Sequence, residues 1–389
     1  MRRSIALLVF AFACTKAQAT STTTTSTSPS TSASAATTTA PATGAPLVRS
    51  FFLTPSDGGL QPVVDAIGSA KKSIRMMMFH LTVPDVENAL IAAKSRGVDV
   101  KLILDGKSLE GRGSAAVAQR LTDHGIEITK SSPAFSITHV KAMVIDDARA
   151  IVMSLNLTRP FDHTRDYAIV TDDATVVDEF LRVFQADLDN AAAKTGNTPA
   201  LGSPALLWSP VNAEGRIVAL VESAQTAIIS STENLGDKPL SDALGRAAKR
   251  GVKVRILAPM CDLGNSPLRN LPYVDDLDHA NVDARVMPPP STREQPYIHA
   301  KMMIVDGTRG FVGSINFSEN SMKHARELGI LFDDHAALVA FTNAFEADWR
   351  AAVPPPPKTG ATRERKGEWK TSDLCPKPKD ASPDSMLAP

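Results

Sequence analysis

Apolar positions follow the same order of patterns in two stretches of the chain. Ile74–Phe79 and Ala227–Ser231 are short apolar runs typical of strands, and each precedes a segment with apolar residues at helical spacing. A second strand-like run follows at Val98–Leu104 in the first stretch and at Val252–Leu257 in the second. The sequence therefore predicts strand, helix and strand twice, as an internal repeat.

The junction between helix and strand is where the two stretches agree best. Residues 92–100 read AAKSRGVDV, and residues 247–254 read AAKRGVKV. Gly97 and Gly251 stand where a helix C-terminus takes a left-handed residue, which glycine adopts without strain.

A further helical pattern closes each stretch, at Ala174–Leu188 and at His335–Ala351. Strands alternating with helices in this way predict an α/β sandwich with mixed sheets. A segment rich in Gly, Pro, Asn and Thr separates the two halves. The predicted divisions are an export signal at 1–19, a Ser/Thr-rich linker at 20–49, a first half at 50–190, a connector at 191–205, a second half at 206–353, and a Pro-rich charged tail at 354–389.

The first residues predict export. Arg2 and Arg3 precede the apolar run Ile5–Ala13, which is too short to span a bilayer. Two processing routes are open: cleavage after residues 17–19, which read AQA, or lipidation of Cys14 in a bacterial lipobox. The linker that follows suits a membrane tether through Cys14. The expected location is periplasmic, outer-membrane-tethered or secreted.

Composition limits the class of protein. The chain has 389 residues, of which 43% are apolar, enough for two ordinary domains with real cores. Lys+Arg and Asp+Glu both number 42, and aromatic residues make up 5%. A protein that grips long nucleic acids by charge, or stacks bases on a platform, is usually more basic or more aromatic. Neither figure excludes a small basic pocket.

The cysteines are too few for a disulfide framework, since the chain has only 3. Apart from Cys14, Cys261 and Cys375 either pair in an oxidising compartment or remain free thiols, and the sequence leaves both alternatives open.

The strongest chemical signal is a motif that occurs once in each half. In the first half, His139 and Lys141 are followed by Asp146, and then by Ser154 and Asn156. Two copies at one fixed spacing are far more specific than a single His-x-Lys. The second copy consists of His299, Lys301, Asp306, Ser314 and Asn316.

Strand geometry predicts how the polar groups of each motif meet. Side chains two residues apart share one face of a strand, so His139 and Lys141 point the same way. A hairpin with a two-residue turn at Asp147-Ala148 places His139 opposite Asn156. It also places Lys141 opposite Ser154. The equivalent second hairpin, with its turn at Gly307-Thr308, pairs His299 with Asn316 and Lys301 with Ser314.

This register puts the motif aspartates beside the turns and away from the chemistry. Asp146 lies opposite Arg149, and Asp306 lies opposite Arg309, so each pair is expected to form an ion pair that flanks its hairpin. We therefore predict a structural role for both aspartates.

A face that carries His, Lys, Ser and Asn twice suits an anion with several oxygens, such as a phosphate diester. Ammonium groups, amides and hydroxyls all donate hydrogen bonds. Two imidazoles on opposite sides of the phosphorus can divide the reaction, one attacking and the other protonating the leaving oxygen. Since no Cys/His or carboxylate cluster has metal-ligand spacing, Lys141 and Lys301 are expected to supply the positive charge without a metal or cofactor.

These motifs resemble those of the phospholipase D superfamily, the His-x-Lys-x4-Asp proteins, over about residues 51–352. The resemblance implies two similar α/β/α halves with the active site at their interface, a covalent phosphohistidine intermediate and no metal requirement. It also implies that His139 is the nucleophile and His299 the general acid. Because one chain carries both motifs, a monomer is expected.

The superfamily pattern includes an acidic residue after each motif that orients the histidine of the other half. Asp166 and Glu327 match it. The resemblance therefore pairs Glu327 with His139 and Asp166 with His299. Met153 stands where the superfamily usually has glycine. We expect its side chain to point away from the phosphate pocket, into the packing behind it.

Two short segments that follow the first strand of each half are open between two interpretations. His80 in the first half, and Glu233-Asn234 in the second, either line the substrate pocket or pack in loops. The Met76-Met77-Met78 run is predicted to be core rather than a lipid-binding surface.

Three functions compete. The first is a phospholipase D-type phosphodiesterase that hydrolyses a phospholipid headgroup ester or transfers it to an alcohol. The second is a metal-independent nuclease of the same superfamily, and only then is nucleic acid a partner. The third is an inactive binding protein, against which the two intact motifs argue. Zero net charge and few aromatic residues favour the lipid substrate.

Overall fold

The first half of the chain alternates seven strands with four helices. The computed structural model describes residues 46–56, 58–261, 270–356 and 374–375. The elements of the first half are β1 (Val48–Thr54), α1 (Gln61–Ser69), β2 (Ser73–Met78), α2 (Pro84–Ser95), β3 (Asp99–Leu104), α3 (Arg112–Asp123), β4 (Glu127–Lys130), β5 (Lys141–Ile145), β6 (Arg149–Met153), β7 (Thr164–Thr171) and α4 (Ala174–Ala193).

The second half repeats this order and adds one short strand and one short helix. Its elements are β8 (Leu206–Ser209), α5 (Ala213–Glu222), β9 (Ala227–Thr232), α6 (Lys238–Lys249), β10 (Lys253–Pro259), α7 (Leu271–His279), β11 (Asp283–Met287), β12 (Tyr297–Ile298), β13 (Lys301–Val305), β14 (Arg309–Gly313), α8 (Glu319–Lys323), β15 (Glu327–Phe332) and α9 (His335–Ala351).

Both halves arrange their strands in the same spatial order. The first sheet runs β1-β7-β6-β5-β2-β3-β4, and the second runs β8-β15-β14-β13-β9-β10-β11 from the equivalent edge. The last three strands of each row are parallel to one another. The remaining neighbours in each row pair antiparallel. The predicted α/β fold of two similar halves with mixed sheets is therefore confirmed.

The two sheets face each other across a central core. Helices α4 and α9 contribute Phe180, Phe184, Phe341 and Phe345 to this core, together with inward-facing residues of both sheets. Helices α1–α3 cover the outer face of the first sheet, and α5–α7 cover that of the second. The run Met76–Met78 is fully buried. Met77 lies in the central core, and Met76 and Met78 lie in the outer core between the first sheet and α1–α3, which confirms their assignment to the core.

Glycine ends the helix before β3 and the helix before β10. Gly97 has φ 90° and Gly251 has φ 91°, the region that L-residues with a side chain rarely adopt. In each case the N–H of the next residue donates back to a helix carbonyl. Both predicted helix caps are confirmed.

The predicted hairpin register is wrong by one residue. In the first half Ala142 pairs with Val152, and Ile145 pairs with Arg149, which leaves a loop of residues 146–148 instead of a two-residue turn. The second hairpin shows the same shift, with the pairs Met302–Val312 and Val305–Arg309.

The extra loop residue follows from left-handed backbone at the start of each loop. Asp146 and Asp147 have φ 56° and 54°, and Asp306 and Gly307 have φ 53° and 66°. Aspartate and glycine tolerate this conformation better than most residues. The predicted cross-strand pairs therefore do not form: His139–Asn156, Lys141–Ser154, His299–Asn316 and Lys301–Ser314.

Each motif aspartate forms hydrogen bonds with the backbone at the start of a neighbouring strand. The Asp146 carboxylate accepts hydrogen bonds from the N–H groups of Lys71, Lys72 and Ser73 at 2.6–3.0 Å. Although partial burial opposes it, these bonds hold the pKa of Asp146 below its usual value. The Asp306 carboxylate accepts from the equivalent N–H groups of Gln225, Thr226 and Ala227.

The ion pairs expected at the hairpins do not form among the described residues. Arg149 instead donates to Asp172 at 2.8 Å, and Arg309 donates to the Ser223 hydroxyl at 2.6 Å. Asp146 and Asp306 therefore act on backbone N–H groups and not on arginines.

The segment before each histidine crosses to the other half. Thr138 forms an isolated bridge with Arg326, and the N–H of His139 donates to the Arg326 carbonyl at 2.8 Å. In the same way, β12 pairs with β7 through Tyr297 and Thr164. Main-chain pairing thus brings His139 to the start of β15 in the second sheet and His299 to the start of β7 in the first sheet.

A disulfide joins Cys261 to Cys375, so pairing is the alternative that the structure shows for these cysteines. It links the tail to the second half, where Cys375 packs into the outer core. Residues 1–45, with the predicted export signal, Cys14 and most of the linker, lie outside the described residues. In the described ranges no helix combines the length and apolar character needed to cross a bilayer.

Candidate active site

Both motif histidines are buried where the two halves meet, and a carboxylate of the opposite half orients each ring. Nδ1 of His139 donates to Glu327 Oε2 at 2.9 Å, and Nδ1 of His299 donates to Asp166 Oδ1 at 2.7 Å. These are the two pairs that the resemblance implied. The crossing segments explain them, because Glu327 and Asp166 lie on β15 and β7. Since the carboxylates take the Nδ1 hydrogens, Nε2 is the free nitrogen of each ring.

The two lysines lie beside the histidines but have different neighbours. Lys141 Nζ donates to the His139 carbonyl at 3.0 Å and faces the Phe79 ring at 5.0 Å from its centroid. Lys301 Nζ donates to the His299 carbonyl and to Glu233 Oε2, the latter at 2.9 Å. Both lysines are almost fully buried.

Burial and the lysine charges determine the protonation of the first-half motif. Burial, and then the Lys141 charge, lower the pKa of His139, although Glu327 acts in the opposite direction. Burial, and then the Lys301 charge, place the pKa of Lys141 well below its usual value. His139 is therefore neutral near pH 7, with the lone pair on Nε2 that a nucleophile needs.

Two buried carboxylates stay ionised in the pocket. Burial raises the pKa of Asp166 and of Glu233, but electrostatic interactions and hydrogen bonds with neighbouring motif side chains more than offset it and hold both below their usual values. For Asp166 the main such neighbour is His299, and for Glu233 it is Lys301. The pocket thus holds two negative charges before any ligand enters.

The motif serines support the sheets, which corrects their predicted role in phosphate binding. Ser154 Oγ donates its hydrogen to Asp166 at 2.6 Å and accepts from the Tyr167 N–H at 3.0 Å. Ser314 Oγ donates to the Leu328 carbonyl at 3.3 Å and accepts from the N–H of the same residue at 3.1 Å. Since a hydroxyl has one hydrogen, neither serine has a donor left for a phosphate.

Of the motif asparagines, Asn316 is better placed than the serines to donate to a ligand. Asn316 Oδ1 accepts from the Asn234 N–H at 3.1 Å, which leaves the amide hydrogens of Asn316 for a ligand. Asn156 Oδ1 is buried and has no hydrogen-bond partner among the described residues.

Sequence reasoning missed two buried ion pairs that connect the halves. Arg165, next to Asp166, donates twice to Asp348 of α9, at 2.7 and 2.9 Å. Arg326, next to Glu327, donates twice to Asp187 of α4, at 2.9 and 2.7 Å. The repeated sequence could have indicated these aspartates, because residues 184–187 read FQAD and residues 345–348 read FEAD. These bidentate pairs fix the strands that carry the orienting carboxylates.

The residues left open between pocket and loop lie in the site. Glu233 Oε2 is 3.7 Å from Nε2 of His299. His80 Nδ1 lies 2.6 Å from the Ser108 hydroxyl. Burial, and then the charges of Lys141 and the motif histidines, lower the pKa of His80 to about 3. His80 is therefore neutral near pH 7 and lines the pocket.

The arrangement has the groups that cleavage of a phosphodiester requires. It offers a neutral imidazole to attack, a second imidazole to transfer a proton, and ammonium and amide donors for the phosphate oxygens. In the part of the chain that the structure describes, no His, Cys, Asp and Glu cluster is arranged to hold a metal ion.

Comparison with known proteins agrees with the site and the fold. A family model described as "Cardiolipin synthase, PLD-like domain" matches residues 63–188 and 217–349, one match in each half. A segment of 130 residues, 33% of the chain, is 31% identical to "Phospholipase D" of Rickettsia bellii and spans 63% of that protein. Over 310 residues, 71% of the chain, the identity to the "Minor cardiolipin synthase ClsB" of Bacillus subtilis is 23%, spanning 75% of that protein.

A solved structure shows the same fold. Phosphatidylserine synthase of Haemophilus influenzae superimposes with a TM-score of 0.60, covering 78% of this chain and 88% of that one. Because the two sequences are 14% identical, this likeness concerns the fold alone.

Proposed function

Because the chain belongs to the phospholipase D superfamily, we propose that it is a phosphodiesterase that cleaves phospholipid headgroup esters through a covalent phosphohistidine. One observation carries the proposal. Each of His139 and His299 has its Nδ1 bound by a carboxylate of the opposite half, which leaves two Nε2 atoms for the substrate. A binding protein would have no need to orient two imidazoles in this way.

In the first step Nε2 of His139 attacks the phosphorus. The bond from phosphorus to the headgroup oxygen breaks, and Nε2 of His299 gives its proton to that oxygen. Lys141, Lys301 and the amide of Asn316 face the charge that develops on the phosphate oxygens. The product alcohol leaves, and the phosphatidyl group stays on His139.

In the second step His299 acts as a base. It takes a proton from water while the water oxygen attacks phosphorus, and the bond to His139 breaks. An alcohol in place of water gives transfer instead of hydrolysis. The same residues serve both steps in opposite directions, as general acid–base catalysis requires.

The phospholipid substrate is the better supported of the two phosphodiester classes. Relatives of this chain are named phospholipase D and minor cardiolipin synthase. Zero net charge and 5% aromatic residues suit a lipid better than a nucleic acid.

A side-by-side assay tests the substrate class. Purified protein is offered a phospholipid panel and single-stranded DNA in the presence of a chelator, with His139→Ala as the control for contaminating activity. We expect release of headgroup alcohols that the variant does not give. Cleavage of DNA without release of any headgroup would make the protein a nuclease, and no cleavage of either would contradict the proposal.

We also propose that the protein is exported and acts as a monomer. The disulfide between Cys261 and Cys375 supports export, because disulfides persist in oxidising compartments. Both histidines come from one chain, which supports a monomer. Cell fractionation of the parent and of Cys14→Ser separates the two export routes, since only a lipoprotein loses its membrane association in the variant.

A further inference from the structure

Phe79 and Glu233 occupy the same position in the two halves. In the first sheet Met78, the last residue of β2, pairs with Lys141. In the second sheet Thr232, the last residue of β9, pairs with Lys301. The next residue in each half, Phe79 or Glu233, therefore stands beside the motif of its own half.

The two side chains give the two motifs opposite surroundings. The Phe79 ring lies edge-on to the His139 ring, with 4.7 Å between centroids. Glu233 Oε2 lies 3.7 Å from Nε2 of His299, the ring nitrogen that Asp166 does not bind. Tyr297 fixes the other carboxylate oxygen by donating to it at 3.1 Å. Glu233 is 5% exposed, so water screens its charge little.

The other charged and titratable groups around the two histidines are similar. His299 is faced by Asp166 on β7, Lys301 on β13 and His80 after β2. His139 is faced in the same way by Glu327, Lys141 and Lys301, again with His80 and Glu233 within electrostatic range. The two histidines therefore differ in one neighbour. A carboxylate lies beside Nε2 of His299, whereas a phenyl ring stands at the equivalent position beside His139.

We propose that Glu233 is a positioning residue that keeps Nε2 of His299 protonated and so makes His299 the leaving-group acid, while Phe79 leaves His139 neutral and nucleophilic. This inference rests on the proposed function and adds the reason for its division of roles. An opposite charge within about 6 Å favours the charged form of an imidazole. Glu233 stays ionised throughout, since only Nε2 of His299 exchanges a proton with the leaving alcohol and then with water.

Two phosphatidyl esters that differ only in the leaving group test the proposal. Glu233→Gln keeps the size of the side chain and an acceptor for Lys301 but removes the charge. We expect cleavage of an alkyl ester to fall about 10- to 100-fold, and cleavage of a p-nitrophenyl ester, which needs no acid, to fall less than about 3-fold. Glu87→Gln is the matched control, because Glu87 is a buried carboxylate paired with Arg120 on the outer helices.

The pH profile separates an electrostatic role from a structural one. In Glu233→Gln the alkaline limb of the alkyl-ester profile should move towards acid by about one pH unit or more. Equal losses on both esters, or a limb that does not move, would overturn the inference while leaving the phosphodiesterase intact. Failure of the parent protein on both esters would instead contradict the proposed function.

A reciprocal change keeps the test independent of how Glu233→Gln folds. Phe79→Glu places a carboxylate beside His139, and Phe79→Gln is its uncharged counterpart. With the p-nitrophenyl ester, we expect Phe79→Glu to form the phosphohistidine at least about 10-fold more slowly than Phe79→Gln. Equal rates in the two variants would contradict the proposal.

Discussion

The two halves share their strand order, their motif and their buried arginine–aspartate pair, yet they differ beside the motif histidines. Phe79 in the first half stands where the second has Glu233, and the next residues are His80 and Asn234. The shared residues hold the strands and orient the rings, tasks that both sides need equally. The differing residues contact the two histidines, to which we assign different chemical tasks. In a repeat, the positions at which the two halves differ therefore indicate where their functional roles differ.

Removal of each histidine should have the largest effect and should show that the two have different roles. His139→Ala and His299→Ala should each lower turnover of an alkyl phosphodiester by on the order of 10,000-fold, because nucleophile and acid are separate requirements. With an activated leaving group, His299→Ala should accumulate the phosphohistidine, and His139→Ala should form none. Peptide mapping after a rapid alkaline quench, which preserves the P–N bond, locates the adduct.

The outcome of that mapping can contradict the assignment in two ways. An adduct on His299 with His139 unmodified would reverse the roles of the halves. No adduct under any condition, with activity lost on adding a chelator, would overturn the covalent mechanism.

Two aspartates of the first half should behave very differently. Asp166→Asn removes the negative charge that binds and orients His299 at Nδ1 and should lower activity by about 100- to 10,000-fold. Asp146→Asn should leave activity nearly unchanged but lower the free energy of unfolding by about 2 kcal/mol, because its carboxylate binds three backbone N–H groups. Rates and urea unfolding on both variants check this. Two folded variants of equally low activity would place Asp146 in the chemistry after all.

The buried ion pairs between the halves should contribute similarly to stability. Asp348→Ala leaves Arg165 without its partner, and Asp187→Ala does the same to Arg326. Each change should lower the free energy of unfolding by about 3–5 kcal/mol, because it leaves an uncompensated buried charge. Urea titration of both variants, with Asp172→Ala as an exposed control, measures the cost. A loss below about 1 kcal/mol in either variant would show that its pair does not hold the halves together.

The smallest expected effect concerns the asymmetry at His80. Because the pKa of His80 is lowered to about 3, its neutral form is favoured in the folded state, and the unfolded chain binds the proton first as pH falls below about 6.5. The contribution of His80 to the free energy of unfolding is therefore complete above pH 6.5 and decreases as the pH falls towards 3. At pH 5.5 this contribution has fallen by about 1.4 kcal/mol. His80→Asn, which copies Asn234, should remove that part of the pH dependence. Unfolding curves at pH 7.5 and 5.5 for parent and variant measure it; an unchanged difference would contradict the burial argument.

Local patterns were enough to predict the repeat, the helix caps and the closing helices. The helix His335–Ala351 has the predicted bounds, and Gly97 and Gly251 have the predicted positive φ. Apolar spacing and glycine placement decide such features within a few residues of chain. The same reasoning failed at the hairpins, because the carboxylates of Asp146 and Asp306 bind backbone far away in sequence and hold a longer loop.

Long-range contacts explain what else the sequence did not reveal. The pairing of Thr138 with Arg326 joins segments almost two hundred residues apart, and no periodicity within either segment indicates it. Ser154 and Ser314 were expected in the pocket because their neighbours along the chain are there, yet their hydroxyls bind the adjacent strand. The equivalence of Glu233 and Phe79 follows from the register of the sheets and not from a shared sequence pattern.

Covalent linkage of the two halves lets equivalent positions change one at a time. In a pair of identical half-chains related by a true twofold axis, any substitution at the position of Phe79 would appear on both sides of the phosphate at once. Within one chain the two positions have separate codons, although the crossing segments still build a single site from both halves. A single chain with two such halves can therefore carry an acidic residue on one side of the pocket and an apolar residue on the other, which a symmetric pair of identical chains cannot.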